Sequence, residues 1–173
     1  MTTLIPNEIF SKKTLEMTLF TSFIVQIISI PFYLYGLIIP LGTEDLVLSD
    51  ILKMETVVQI IEAGFYLWYF MTFKASNDVA KFRYYDWFFT TPTMLIATIV
   101  YFEYKTMKDL GMSKSLSLES FLNNNTKEVI EIVMYNMGML FVGYLQEIGL
   151  MNIWASTTIG FGFFGMSFYK MYS

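Results

Sequence analysis

Long apolar stretches alternate with short polar ones along the chain, and the apolar stretches are longer than the strands or core helices of a soluble domain. The first uncharged run, Met17 to Leu41, would reach about 37 Å as a helix, enough to cross a bilayer with tilt. It predicts a span over 15–41, kinked at Pro31. The run lacks the basic start, short apolar core and small-residue cleavage site of a signal peptide, so it reads as a retained helix. Thr43 to Asp50 is a polar connection, with Ser49 or Asp50 as the expected N-cap of a second span over 52–73. Lys74 to Asp78 reads as a short turn, and a third span follows over 79–103 with Pro92 inside it. Lys105 to Lys127 is the longest polar stretch and reads as a loop, in which Ser117 to Leu122 predicts a short surface helix. A fourth span over 128–146, a tight turn at Glu147-Ile148-Gly149 and a fifth span over 150–169 complete the pattern. There is no fixed-period repeat and no Pro-rich linker, so residues 1–173 read as a single all-α, polytopic membrane helix bundle.

Composition supports that reading and removes several chemistries. Of the 173 residues, 55% are hydrophobic and only 15% are charged, with a mean hydropathy of +0.51. A soluble domain carries about 25% charged residues. Cysteine and histidine are absent, which excludes a disulfide framework, a His- or Cys-ligated metal site, a cysteine nucleophile and a catalytic histidine. No metal site and no nucleophile–base pair is expected, so the chain does not read as an enzyme. A net charge of −4 offers no basic surface for nucleic acid. Lysines set the expected orientation. Lys53, Lys105, Lys108, Lys114, Lys127 and Lys170 outnumber Lys12, Lys13, Lys74 and Lys81, which places the N-terminus on the extracellular side.

Ionisable groups inside spans cost about 2.5–3.5 kcal/mol each at mid-helix, so those present are functional suspects. The strongest cluster opens the third span. Arg83 and Asp86 are three residues apart and Asp86 and Thr90 are four apart, so all three share a helix face. A carboxylate, a guanidinium and a hydroxyl aimed at one interior point suit a buried cation on a ligand, or a proton relay. The plainer alternative is an ion pair that anchors the span at the interface. The second span carries its own stripe of Glu55, Gln59, Glu62, Tyr66 and Tyr69, and the first carries Thr18, Ser22, Gln26, Ser29 and Tyr33. Two polar stripes on adjacent helices can line a hydrated path, with Glu55, Gln59 and Glu62 as its ion-selecting residues. The alternative leaves Glu55 at the headgroups and Glu62 as a neutral, hydrogen-bonded acid.

Arg83 to Pro92 reads Arg-Tyr-X-Asp-Trp-X-X-Thr-Thr-Pro and closely resembles helix C of the microbial rhodopsins, the seven-helix retinal proteins. Ala63 to Tyr69 resembles the end of helix B in proteorhodopsin-type members, Leu140 to Gly149 their helix D to E turn, and Trp154 to Gly160 helix E of the wider family. Within the family, Phe88 to Leu95 most resembles rhodopsins of giant viruses. The resemblance covers nearly the whole chain and implies five helices of the seven-helix fold, with helices F and G lacking. It implies retinal as cofactor and Asp86 as counterion and first proton acceptor, with Thr90 beside it and Arg83 on its extracellular side. It implies a retinal pocket built by Trp87, Thr91 and Met94 from helix C, Met134 and Gly138 from helix D, and Trp154, Thr157 and Thr158 from helix E. The apolar Met94 implies green rather than blue absorption.

Two departures bear on activity. Family proton pumps carry a carboxylate eleven residues after the counterion, where this chain has Ala97, and proteorhodopsins pair the counterion with a histidine where this chain has Leu67. Together with the helix B glutamates, which algal channelrhodopsins use in a similar way, this makes a light-gated cation channel the favoured expectation. A light-driven outward proton pump, a sensory photoreceptor and a retinal-free structural membrane protein are the alternatives. The family's Schiff-base lysine lies in helix G, preceded four residues earlier by an aspartate. Lys170 has neither that depth nor that aspartate, so no lysine of this chain takes the role. Expected partners are the lipid bilayer, retinal and cations or protons, with a homo-oligomer left open.

Overall fold

The computed structural model describes residues 12–72, 79–112 and 116–172, and every regular element among them is helical. Five long helices are α1 (Lys12–Leu37), α2 (Leu46–Thr72), α3 (Val79–Asp109), α5 (Thr126–Glu147) and α6 (Ile153–Tyr172), and α4 (Leu118–Asn124) is one short surface turn. The turn expected over Lys74 to Asp78 lies outside the described residues. The long helices pack in chain order, α1 on α2, α2 on α3, α3 on α5 and α5 on α6, while α4 rests on α2 and α5.

Several boundaries differ from expectation, and α1 runs from Lys12 to Leu37 where a span over 15–41 was expected. α2 begins at Leu46, not near residue 52, because a 3-10 turn over Thr43–Asp45 feeds straight into it. Ser49 and Asp50 therefore lie inside the helix, and Asp50 pairs with Lys53 at 2.8 Å instead of capping. Val47 requires this early start, since it is fully buried against Val100 and Phe121. α3 runs past residue 103 to Asp109, and Lys105 and Asp109 pair at 2.9 Å along its last turn. α6 starts at Ile153, where the Trp154 backbone N–H donates to Asn152 Oδ1 at 2.8 Å, an N-cap that Leu150 could not supply. The expected surface helix forms, capped by Ser117 Oγ accepting from the Ser120 backbone N–H at 3.1 Å. The tight turn after α5 closes on Gly149, whose φ of +78° is a left-handed conformation open to glycine. Pro31 and Pro92 sit within α1 and α3 without ending them.

The bundle buries apolar clusters at its ends and polar side chains between them, under a largely apolar surface. One apolar cluster, Val47, Val100, Tyr104, Phe121 and Val129, closes the end predicted to face the cytoplasm. A second, Leu19 and Tyr69 with Phe65, Phe70 and Phe82, closes the other end. The middle of the bundle buries Thr56, Gln59, Asp86, Thr90 and Asn136, while Ile28, Phe32, Phe89, Phe161 and many other large apolar side chains face outward. Water would penalise such a surface, and lipid does not. α1 and α5 are apolar enough along their length to pass as spans by composition alone. Among the described residues α2, α3 and α6 do not pass on composition alone.

Candidate functional site

α3 carries the centre of the site. Asp86 is 6% exposed and Thr90 is 1% exposed, so both lie in the interior as their shared face predicts. The Thr90 hydroxyl donates to the Asp86 backbone carbonyl at 3.1 Å and not to its carboxylate. Asp86 Oδ1 and Arg83 Nε are both buried without a hydrogen-bond partner, and the ion pairs of the described residues do not include Arg83 with Asp86, so the plainer alternative of an anchoring pair gains no support. Glu62 acts on Asp86 through space from α2, and Tyr66 lies within electrostatic reach of Arg83, Glu62 and Asp86. The region thus holds two carboxylates against one guanidinium, and a buried carboxylate oxygen has spare capacity. An added cation fits both features.

Two adjoining cavities lie between α3, α5 and α6. One, of about 460 Å³, is lined by Tyr84, Trp87, Gly143, Thr157 and Phe161. The other, of about 300 Å³, is lined by Thr91, Met94, Asn136 and Ser167. Met139 and Phe164 line both, so the two are neighbours. Their size and apolar walls are those of a small-molecule site. The Asn136 side-chain amide donates to Thr91 Oγ1 at 2.8 Å, and the Thr91 hydroxyl in turn donates to the Trp87 carbonyl at 2.8 Å. This chain of bonds fixes the floor between α3 and α5.

Of the expected pocket residues, the structure brings together Trp87 with Thr157, and Thr91 with Met94. It does not bring in the others. Met134 is 63% exposed and Trp154 is 79% exposed, on outward faces. Thr158 is exposed as well. Gly138 faces Phe163 of α6, whose ring lies 3.0 Å from where a Cβ would sit. The α5 wall is built by Met139 and Gly143 instead. Met-X-X-X-Gly occurs twice in succession, at Met134–Gly138 and Met139–Gly143. A shift of five residues turns a helix face by about 140°, and only packing chooses between the two. Asn136, by contrast, carried a legible signal, since an uncapped amide in mid-span needs a buried partner.

The α1 and α2 stripes meet directly. Gln26 Nε2 donates to Glu62 Oε2 at 2.7 Å, and Gln59 Nε2 donates to both Gln26 Oε1 and the Gln26 carbonyl, the latter at 3.3 Å. Gln59 is buried at 8% exposure, and Glu55 lies about one helical turn away, half-buried. A cavity of about 520 Å³ is lined by Thr14, Met17, Thr18, Thr21, Ser22, Val25 and Gln26 of α1 and by Tyr66 of α2.

The helical bundle thus carries on α3 a buried aspartate with a free carboxylate oxygen, and apolar cavities between α3, α5 and α6. The family model described as bacteriorhodopsin-like protein matches residues 13–173, and the chain belongs to that family, the microbial rhodopsins. Among solved structures, the crystal structure of viral rhodopsin OLPVRII is similar, with a TM-score of 0.76 and 25% sequence identity over 90% of this chain and 68% of that one. Comparison with curated proteins gives no match. The protein is therefore an integral, multi-pass membrane protein of viral-rhodopsin type, in a family whose chromophore is retinal.

Proposed function

We propose that this chain is the retinal-binding part of a light-gated cation channel. Asp86 is the counterion, with Arg83 and Thr90 supporting it, and Trp87, Thr91, Met94, Met139, Gly143 and Thr157 hold the retinal chain. Retinal supplies visible-light absorption, a change of shape and a positive charge at its attached end. The unpartnered Asp86 Oδ1 and the excess of carboxylate over guanidinium fit that charge. Lys170 is bonded to Glu131 at 2.7 Å at the end of α6 and is not assigned the attachment role.

The observation that carries the channel reading is the seam between α1 and α2. A cavity that holds Thr14, Thr18, Thr21 and Ser22 among apolar neighbours reaches Gln26, and Gln26, Gln59 and Glu62 are joined by hydrogen bonds. Such a junction is shut in this state and opens if the two helices part by the reach of a few hydrogen bonds. Ala97, where pumps of the family carry a carboxylate, is a buried methyl group packed within the bundle, so fast proton return along α3 has no donor there. The test is photocurrent from cells expressing the full-length protein with retinal. Currents that reverse with the cation gradient support the channel, and Glu62→Gln should shift their selectivity. Currents of fixed sign would replace the channel with a proton pump working from Asp86, whose buried free oxygen supports that second reading. Selectivity and conductance unchanged in Glu62→Gln would remove Glu62 from the path.

A further inference from the structure

The larger of the two cavities between α3, α5 and α6 is not apolar throughout. Its walls are mainly hydrocarbon, but Tyr84, Gln146 and Thr157 line it as well. They enter from the start of α3, the last turn of α5 and the start of α6. Those helix ends lie together. A Cβ on Gly143, about one turn before Gln146, would sit 2.6 Å from the Tyr84 hydroxyl, and the hydroxyl of Ser156, next to Thr157, donates to the Val142 carbonyl at 3.1 Å. The three polar side chains therefore share one end of the cavity, while Met139 and Phe164 form the other.

None of the three makes a side-chain hydrogen bond among the described residues. Thr157 shows the contrast best. Every threonine of α3, namely Thr90, Thr91, Thr93, Thr98 and Thr106, returns its hydroxyl to the carbonyl four residues earlier. Thr157 does not, so its hydroxyl is free to donate and to accept. The Gln146 amide and the Tyr84 hydroxyl each offer a donor and an acceptor too. Water satisfies such groups in a cavity without ligand. A ligand that fills the cavity expels that water, and a purely hydrocarbon ligand end leaves the three groups unmatched, which costs affinity.

With the charged end of retinal at Asp86, its ring end lies away from α2, between α5 and α6, the helices that carry Gln146 and Thr157. We propose, resting on the retinal reading of this cavity, that the ligand is a retinal whose ring bears a hydroxyl group and that Gln146 and Thr157 hold that hydroxyl, with Tyr84 beside them. The ring hydroxyl donates to Gln146 Oε1 and accepts from the Thr157 hydroxyl, so both of its hydrogen-bonding capacities are met. An unsubstituted ring meets neither. The preference is independent of whether the protein conducts ions or pumps protons.

The test is a competition on the full-length protein made without retinal. Equimolar all-trans-retinal and all-trans-3-hydroxyretinal are supplied in excess and equilibrated, free retinoid is removed, and bound retinoid is released with hydroxylamine and quantified by chromatography. 3-Hydroxyretinal should be retained over retinal by about fivefold, the effect of one net hydrogen bond. Gln146→Leu and Thr157→Val should each bring that ratio toward one, whereas Ser167→Ala, in the neighbouring cavity, should keep it. Equal retention by the unaltered protein refutes the proposal while leaving retinal binding in place, and that result needs neither variant to fold. A preference that survives both substitutions, or that is lost in Ser167→Ala, also refutes it by placing the hydroxyl elsewhere. Retention of neither retinoid removes the retinal reading itself, and the ring hydroxyl with it.

Discussion

Replacing Gln26 with leucine tests the seam on which the conducting reading depends. Leucine keeps most of the volume and removes two interhelical bonds, Gln26 Nε2 to Glu62 Oε2 at 2.7 Å and Gln59 Nε2 to Gln26 Oε1. The bond from Gln59 to the Gln26 carbonyl, at 3.3 Å, survives because it uses the backbone. Interhelical hydrogen bonds in membrane proteins average about 0.6 kcal/mol and reach about 1.7, since the unfolded chain in detergent or lipid also finds partners. Two of them come to about 1.2–3.4 kcal/mol. The lower half of that range applies if Glu62, which is half-buried beside the cavity, is rehydrated. The upper half applies if buried Gln59 is left short of an acceptor. Gln59→Leu also removes two interhelical bonds, both to Gln26, and should cost a similar amount, and the Q26L/Q59L double variant should show a coupling of about 0.6–1.7 kcal/mol. Reversible SDS unfolding in mixed micelles, followed by tryptophan fluorescence, measures all three. A Gln26→Leu cost under about 0.5 kcal/mol, or no coupling in the cycle, would mean that the seam is not held by these bonds and that the gate has been misplaced.

Other expectations follow from the same geometry. Asn136→Leu with Thr91→Val should give a coupling near 0.6 kcal/mol in the same unfolding assay, because a single 2.8 Å bond joins α5 to α3 there. Gly143→Leu should lower thermal stability by about 1–3 kcal/mol, since a Cβ would already sit 2.6 Å from the Tyr84 hydroxyl. Gly165→Ala, with open space around its Cβ position, should instead raise stability by up to about 1 kcal/mol through helix propensity. At the end predicted to face the cytoplasm, the Tyr104 hydroxyl donates to Asp45 at 2.6 Å and Lys108 donates to it at 2.9 Å, and these bonds hold the Asp45 carboxyl below its ordinary value of 3.8. A lowered folded-state value stabilises above the ordinary carboxylate range and is lost as pH falls through it. Hydrogen exchange of residues 43–46 should therefore speed up as pH is taken below 3.8, once corrected for intrinsic rates, and Asp45→Asn should abolish that pH dependence.

Much of the architecture was legible because a bilayer imposes a simple rule. Backbone groups must be satisfied within each span, so a long apolar run is a helix and its ends fall where charge resumes. That rule located five helices and the surface turn after Ser117. It missed the start of α2 because Ser49 and Asp50 look like caps, yet the helix continues through them when Val47 finds a buried partner across the bundle. The cluster of Arg83, Asp86 and Thr90 was legible from spacing along one helix, where the backbone alone decides which residues share a face. Its internal bonding was not, since the Thr90 hydroxyl chose the backbone carbonyl over the carboxylate.

What sequence alone determined here is local and periodic: the membrane class, the helices, the polar stripes of α1 and α2, and the α3 motif that marks the family. What only the tertiary structure decided depends on rotation and contact between helices. Met134 and Met139 have the same local spacing to a glycine, and the packing of α5 on α3 and α6 turned one outward and the other into the cavity. The stripes of α1 and α2 could equally have lined an open path, and the approach of the two helices joined them through Gln26. Periodicity fixes the angle between residues on one helix. The absolute angle of that helix against its neighbours is set by side-chain packing between residues far apart in the chain.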